Sequence, residues 1–300
     1  FCSSDCLSEH INNNSDCADY DNDNDRQDAR INYRGYSLSK VFLSAKQGEV
    51  IKSTRPFGVE IECFYRDEES GQALSDELPK GIGLAKDGSL QGKNSIEIQT
   101  PKMSGAKGEK VLATICEILN EKSCSVNATC GLHCHIDASD IAKADENKRA
   151  LMIKDLWSFY AAFDDVFMGF LPRSRRQNNY CIRLLKKAGI DDIQKCKSQN
   201  ELEKLWYKNQ NEAEIKRIKA TKHHDTRYYG VNLHSLFANN HYEIRYHSGT
   251  TSFTKIAEWA NIHCRIADLC ARNNDSVEVA IKRALEMADM GEKRALLYEV

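Results

Sequence analysis

No stretch of this 300-residue chain approaches the ~20 consecutive apolar residues that a bilayer-spanning helix needs. The longest greasy segment, 151–171, is interrupted by Lys154, Asp155, Asp164 and Asp165, and reads as one buried helix rather than an anchor, so no membrane partner is expected. An excess of one charge is lacking too. Forty-two Lys and Arg against 44 Asp and Glu leave a net charge of −2, which excludes an overall nucleic-acid footprint. The balance is local: 16–28 is acidic and Asn-rich, whereas Arg173, Arg175 and Arg176 cluster and 216–222 is basic. The 12 cysteines lack the spacing of a disulfide framework, and no signal-peptide pattern is seen, so the chain reads as reduced and cytoplasmic. Because it begins at Phe1 rather than Met, sequence upstream is expected. There is no internal repeat, and no Ser-His-Asp or Cys-His set suited to covalent catalysis.

What is present is the composition of a globular protein, 41% hydrophobic and 29% charged, long enough for one large domain or two smaller ones. Residues 1–33 are polar and poor in aliphatics, too poor to order by burial alone. They carry Cys2, Cys6, His10 and Cys17, four residues able to close one tetrahedral Zn²⁺ site; the alternative is a disordered, reduced tail. Residues 34–54 read as a linker, 55–272 as the main domain and 273–300 as a C-terminal helix. Helical periodicity runs through 111–119, 151–171, 202–218, 253–269 and 277–290. Strands clustered among such helices predict an α+β fold, a mostly antiparallel sheet with helices packed on one face.

Four segments alternate apolar and ionisable residues: 58–64, 95–99, 131–136 and 242–247. A β-strand sends every second side chain to the same face. The pattern puts Glu60, Glu62, Glu97, His133, His135, Glu243, Arg245 and His247 on polar faces. Solvated strand faces usually hold Lys, Thr, Ser and Gln. Carboxylates and imidazoles repeating without lysine look like a floor for metal ions.

Each local signal has a plainer reading beside it. Glu60 and Glu62 suit Mg²⁺ or Mn²⁺, which take hard oxygen ligands next to nucleotide phosphates, or they are two glutamates on a sheet edge. His133 and His135, two residues apart, serve a metal or a phosphate, or are two satisfied histidines at a strand end. An HxH pair also opens the metal site of amidohydrolase barrels, but this chain lacks eight βα units. Arg245 offers a planar, permanent charge suited to phosphate. Gly249 and Thr250 mark the strand end and the cap of the next helix. Asp87-Gly-Ser89 reads as a turn or as an acid facing substrate, and Arg173–Arg176 as a phosphate clamp or a solvated loop. Cys134 and Cys181 read as small buried apolar residues, not nucleophiles.

Taken in order, Phe57-Gly-Val-Glu-Ile-Glu62, Asp87-Gly-Ser89, Glu97-Ile-Gln-Thr-Pro101 with Ser104-Gly105, Cys130-Gly-Leu-His-Cys-His-Ile136, Arg175-Arg176 with Tyr180, Asn232-Leu-His234 and Glu243-Ile-Arg-Tyr-His-Ser-Gly-Thr250 resemble a known family. It is that of the phage and bacterial amidoligases, in the carboxylate–amine ligase superfamily of glutamine synthetase and glutamate–cysteine ligase. The resemblance spans about 55–272. It implies a glutamine synthetase-like catalytic domain, with ATP and Mg²⁺ (or Mn²⁺) on an antiparallel sheet. By likeness, Glu60, Glu62, Glu97, His133 and Glu243 bind metal, with Glu62 and Glu97 also counted as catalytic. His135, Arg175 and Arg245 contact nucleotide or substrate, and Arg245 steadies the transferring phosphoryl group. The implied substrates are a carboxylate acceptor and an amine donor, small molecules or peptides.

An amide forms from a carboxylate in water only after activation. Phosphoryl transfer asks for positioning and charge neutralisation more than for a nucleophilic side chain. The expected function is therefore an ADP-forming carbon–nitrogen ligase working through an acyl phosphate. A metal-dependent hydrolase or phosphoesterase on the same Glu/His floor is the rival enzyme. A zinc-containing nucleic-acid-binding module is the non-enzyme rival.

Overall fold

The computed structural model describes residues 31–221, 224–272 and 275–299. Cys2, Cys6, His10 and Cys17, and with them the zinc expectation, lie outside those residues. The chain is α+β, as expected. It divides into two compact units, the first holding residues up to 132 and 249–259, the second 133–248 and 260 onward.

In the first unit, β1 (Phe57–Phe64), β2 (Gly83–Ala85) and β3 (Ser95–Gln99) run antiparallel in the order β2-β3-β1. Alternation places Val59, Ile61, Ile96 and Ile98 on the core side, each essentially fully buried. Helix Gly105–Glu121 buries Gly108, Leu112, Ile115, Cys116 and Leu119, the stripe expected of a 3.6-residue repeat. Its entry turns on Gly105 in a left-handed conformation (φ 52°), where a Cβ would stand 2.2 Å from the Lys46 carbonyl. Residues 34–54 carry little regular structure yet are tied down. Glu109 Oε2 accepts the N–H groups of Val50 and Ile51 at 3.0 and 2.7 Å, and Ile51 is fully buried.

In the second unit, β4 (Leu132–Asp137), β5 (Val231–Asn232) and β6 (His241–Ile244) run antiparallel in the order β4-β6-β5. The core is aromatic. Trp157, Phe159, Tyr160, Phe163, Phe167, Trp206, Tyr242 and Tyr246 are all fully buried. Its tyrosine hydroxyls find partners: Tyr246 donates to Asp164 Oδ1 at 2.8 Å, and Tyr160 shares a 2.8 Å hydrogen bond with His263 Nδ1, whereas the indole N–H groups of Trp157 and Trp206 meet no acceptor among the described residues.

Several expected helices are divided. The 151–171 segment forms Glu146–Ala162 and Asp164–Gly169, because Phe163 leaves the helical conformation and Asp164 starts anew. The 202–218 segment forms Gln199–Trp206 and Glu212–Lys219. Lys208 and Asn209 are left-handed between them (φ 57° and 58°), and Asn211 caps the second helix. Asp275–Glu286 and Met290–Glu299 take the place of a single C-terminal helix. Among the described residues, no helix is long and apolar enough to cross a membrane.

Candidate active site

Antiparallel register sets Glu62 of β1 directly opposite Glu97 of β3, and puts Glu60 two residues along the same face as Glu62. These are not solvated strand faces: Glu62 is 3% exposed and Glu97 6%. Asp87 joins them from the turn after β2. Glu62, Asp87 and Glu97 each offer an oxygen within 4.8 Å of the others. The turn reading of Asp87 holds, since its Oδ1 accepts the Ser89 N–H at 2.6 Å. Glu62 Oε2 accepts the Gly131 N–H at 2.5 Å, and Glu97 Oε1 accepts from Gln99 Nε2 at 2.5 Å.

Burial pushes the Glu97 carboxyl well above the usual carboxylate range, and Glu60, Asp87 and Glu62 add to that, against the Gln99 bond. Like charges this close, out of water, call for protons or for a cation. The donors are hard carboxylate oxygens in a set that fits Mg²⁺ or Mn²⁺.

The second unit holds the other predicted residues. His135 and Glu243 pair in register on β4 and β6, as do Asn232 and Glu243 on β5 and β6. Glu243, 5% exposed, is gripped from several sides. Asn232 Nδ2 donates to its Oε2 at 2.8 Å, and Arg245 Nη1 donates to its Oε1. His133 Nδ1 lies 3.6 Å from the same Oε1. Arg245 also donates from Nε to the Tyr180 carbonyl at 3.2 Å and lies over the Tyr228 ring. Arg175 is 3% exposed and donates to the carbonyls of Arg245 and Tyr246, at 2.7 and 3.3 Å. It thus fixes the backbone that carries Arg245. His135 lies beside His241, ring centroids 5.3 Å apart, and His247 Nδ1 bonds the Ser248 carbonyl.

Sequence reasoning had not given Asn232 a role. Its motif was visible, but only the register of a two-residue strand reveals that its amide orients Glu243. His234 of that motif is structural. Its ring bonds Tyr207 Oη at 2.9 Å and the Thr221 carbonyl at 3.0 Å, and burial lowers its pKa to about 4. Burial pushes the Cys181 thiol up to about 11 and that of Cys134 higher still, so neither is a ready thiolate.

The family model described as "putative amidoligase enzyme" matches residues 65–267, about two thirds of the chain. The chain belongs to that family, and its function is of the ligase type. Asp87, Glu97, His133, His135, Arg175, Glu243 and Arg245 fall within the match, whereas Glu60 and Glu62 lie just upstream of it. Comparison with curated proteins gives no match.

Proposed function

We propose that this chain is an ATP- and Mg²⁺-dependent carboxylate–amine ligase with a glutamine synthetase-like catalytic domain, acting in a reducing cytoplasm. The observation that carries the reading is the convergence of buried Glu62 and Glu97 with half-buried Asp87, a charge arrangement costly without a cation, in a chain of the amidoligase family. In this reading Glu60, Glu62, Asp87 and Glu97, with His133 and Glu243, hold divalent ions. A bound Mg²⁺ would neutralise phosphate oxygens and orient them.

The rest falls to the chain's own groups. Arg245, held by Glu243 and the Tyr180 carbonyl, presents a fixed positive charge where negative charge develops on the transferring phosphoryl group, and Arg175 keeps its backbone in place. His135 contacts nucleotide or substrate. A carboxylate oxygen of the acceptor attacks the γ-phosphorus and ADP leaves. The amine nitrogen then attacks the acyl carbon, phosphate leaves with the acceptor's oxygen, and the nitrogen gives up a proton.

The test follows that oxygen. A metabolite screen with labelled ATP identifies an acceptor and an amine, and the acceptor is then supplied with oxygen-18 in its carboxylate. The reading expects ADP, and one labelled oxygen in phosphate per amide formed, both abolished by chelator. Unlabelled phosphate would point to hydrolysis by water, and AMP with pyrophosphate to adenylation; either overturns the acyl-phosphate route.

A further inference from the structure

Lys187 stands just past the short 3₁₀ helix Leu184–Lys186 of the second unit, in surroundings that offer an ammonium little. It is half-buried. Its Nζ lies 5.3 Å from the centre of the Trp206 ring and 5.6 Å from that of Tyr229. Trp206 is fully buried at the end of helix Gln199–Trp206, so this wall is held in place. Among the described residues, no carboxylate pairs with Lys187, and the charge that acts on it is another cation, Lys208. Carboxylates of the adjoining helices are taken by other lysines, Glu212 by Lys204 at 3.7 Å and Glu203 by Lys219 at 2.8 Å. His224 is also within electrostatic reach of Lys187, and the carboxylates of Asp225 and Glu214 act on that ring.

A ring face attracts an ammonium, but weakly at these distances, and it offers no strong acceptor for the three N–H bonds. The water that the rings displace is the larger loss, so the neutral amine is favoured. Burial, with Lys208 adding to it, lowers the Lys187 ammonium from an ordinary 10.5 to about 8. An amine desolvated against apolar groups and set beside a second cation is the arrangement that makes a lysine nucleophilic near neutral pH.

We propose that Lys187 is a modification site of this chain, an amine that takes an acyl group from a small acyl phosphate. The neutral nitrogen attacks the carbonyl carbon, the bond from that carbon to the phosphate oxygen breaks, phosphate leaves with the electron pair, and the nitrogen gives up one proton. The amide product carries no charge, and rests against the same two rings without the cost of a desolvated ammonium. Acyl phosphates are also the class of intermediate in the proposed ligase reaction. Acylation of Lys187 does not rest on that reading, since it needs neither ATP nor a divalent ion.

The experiment treats the full chain with acetyl phosphate, without ATP or divalent ions, and follows acetylation at each lysine by peptide mass mapping. Exposed Lys186 and Lys216 are the internal references. At pH 7.5 roughly a quarter of Lys187 is neutral amine, against about 0.1% of an ordinary lysine. Its lower basicity gives back about tenfold of that advantage, so Lys187 should react at least ~10-fold faster than either reference. Its rate should level off at about pH 8–9, while theirs go on climbing. Lys208→Asp, which puts a carboxylate in place of the neighbouring cation, should slow Lys187 by about threefold or more and leave the references unchanged. Equal rates at Lys187 and Lys186 would overturn the proposal, as would a Lys187 rate that keeps rising with pH in step with theirs. An unchanged Lys187 rate in Lys208→Asp would overturn it too, because the surroundings named here would then not set the reactivity. Should that variant fail to fold, the comparison of lysines within the native chain still decides.

Discussion

At the scale of single residues, the site is a problem of charge out of place. Glu97 is buried, faces Glu62 across the register and has Asp87 and Glu60 near it, so its charged form is disfavoured from several directions. On the proposed reading, such an arrangement trades stability for chemistry. Glu97→Gln removes one charge and keeps an oxygen able to accept from Gln99. In chelator, that variant should therefore melt higher than the native chain, by about 2 °C if the relief is about 1 kcal/mol. On the proposed reading Mg²⁺ stabilises the native protein, and the variant should lose most of that stabilisation. Thermal scans with and without Mg²⁺ check both halves. A lower melting temperature in chelator would mean that Glu97 is a structural acid. The identities of these residues were legible in the sequence, because alternation alone puts Glu60, Glu62 and Glu97 on shared faces. Their burial was not, since a period of two says which side a residue takes and not what covers that side.

At the scale of elements, the strands were more legible than the helices. β1, β3 and β4 match their alternating segments within a residue, while β2 and β5 span only three and two residues, too short to show a period. The helix breaks were hidden for another reason. Helix Glu146–Ala162 is buried on all sides over its last seven residues, so the apolar pattern runs on past Phe163 and nothing marks the stop. The break between Trp206 and Glu212 uses left-handed Lys and Asn where glycine would have been the visible signal.

One polar residue on that long helix carries a testable cost. Burial lifts the Asp155 carboxyl from an ordinary 3.8 to about 6, helped by Glu278 of helix Asp275–Glu286 and opposed by Lys154. The folded state then holds more protons than the unfolded one between those values, so stability falls as pH rises from about 4 to 6 and the penalty persists above. Asp155→Asn should raise the melting temperature at pH 7.5 and leave it nearly unchanged near pH 4. A pH series of thermal melts on both proteins reads the difference. A variant less stable than the native chain at pH 7.5 would show that the charged carboxylate is favoured instead.

At the scale of the whole molecule, the chain's path matters as much as its elements. The first unit is not one continuous stretch: it takes back 249–259 after the whole of 133–248 has intervened. The periodicity does not show this return, and two close approaches mark where it begins. Gly249 donates its N–H to the Cys130 carbonyl at 2.8 Å, and Thr251 Oγ1 donates to Asn120 Oδ1 at 3.1 Å. The sequence marked Gly249 as a strand end, but β6 stops at Ile244, and that reading gave no reason for glycine in particular. The structure supplies one: a Cβ there would stand 2.3 Å from the Cβ of Cys130, with its backbone at 3.2 Å. Neither neighbour is the far end of a flexible side chain, so the backbone itself must move. Gly249→Ala should therefore destabilise by about 1–3 kcal/mol, the usual cost of overpacking, despite alanine's smaller loss of chain entropy on folding. Thr251→Ala, which removes one exposed hydrogen bond, should cost much less. Urea melts on the two variants compare them directly. If Gly249→Ala proved as stable as the native chain, the returning segment would not be packed against Cys130, and the first unit would have to hold together without it.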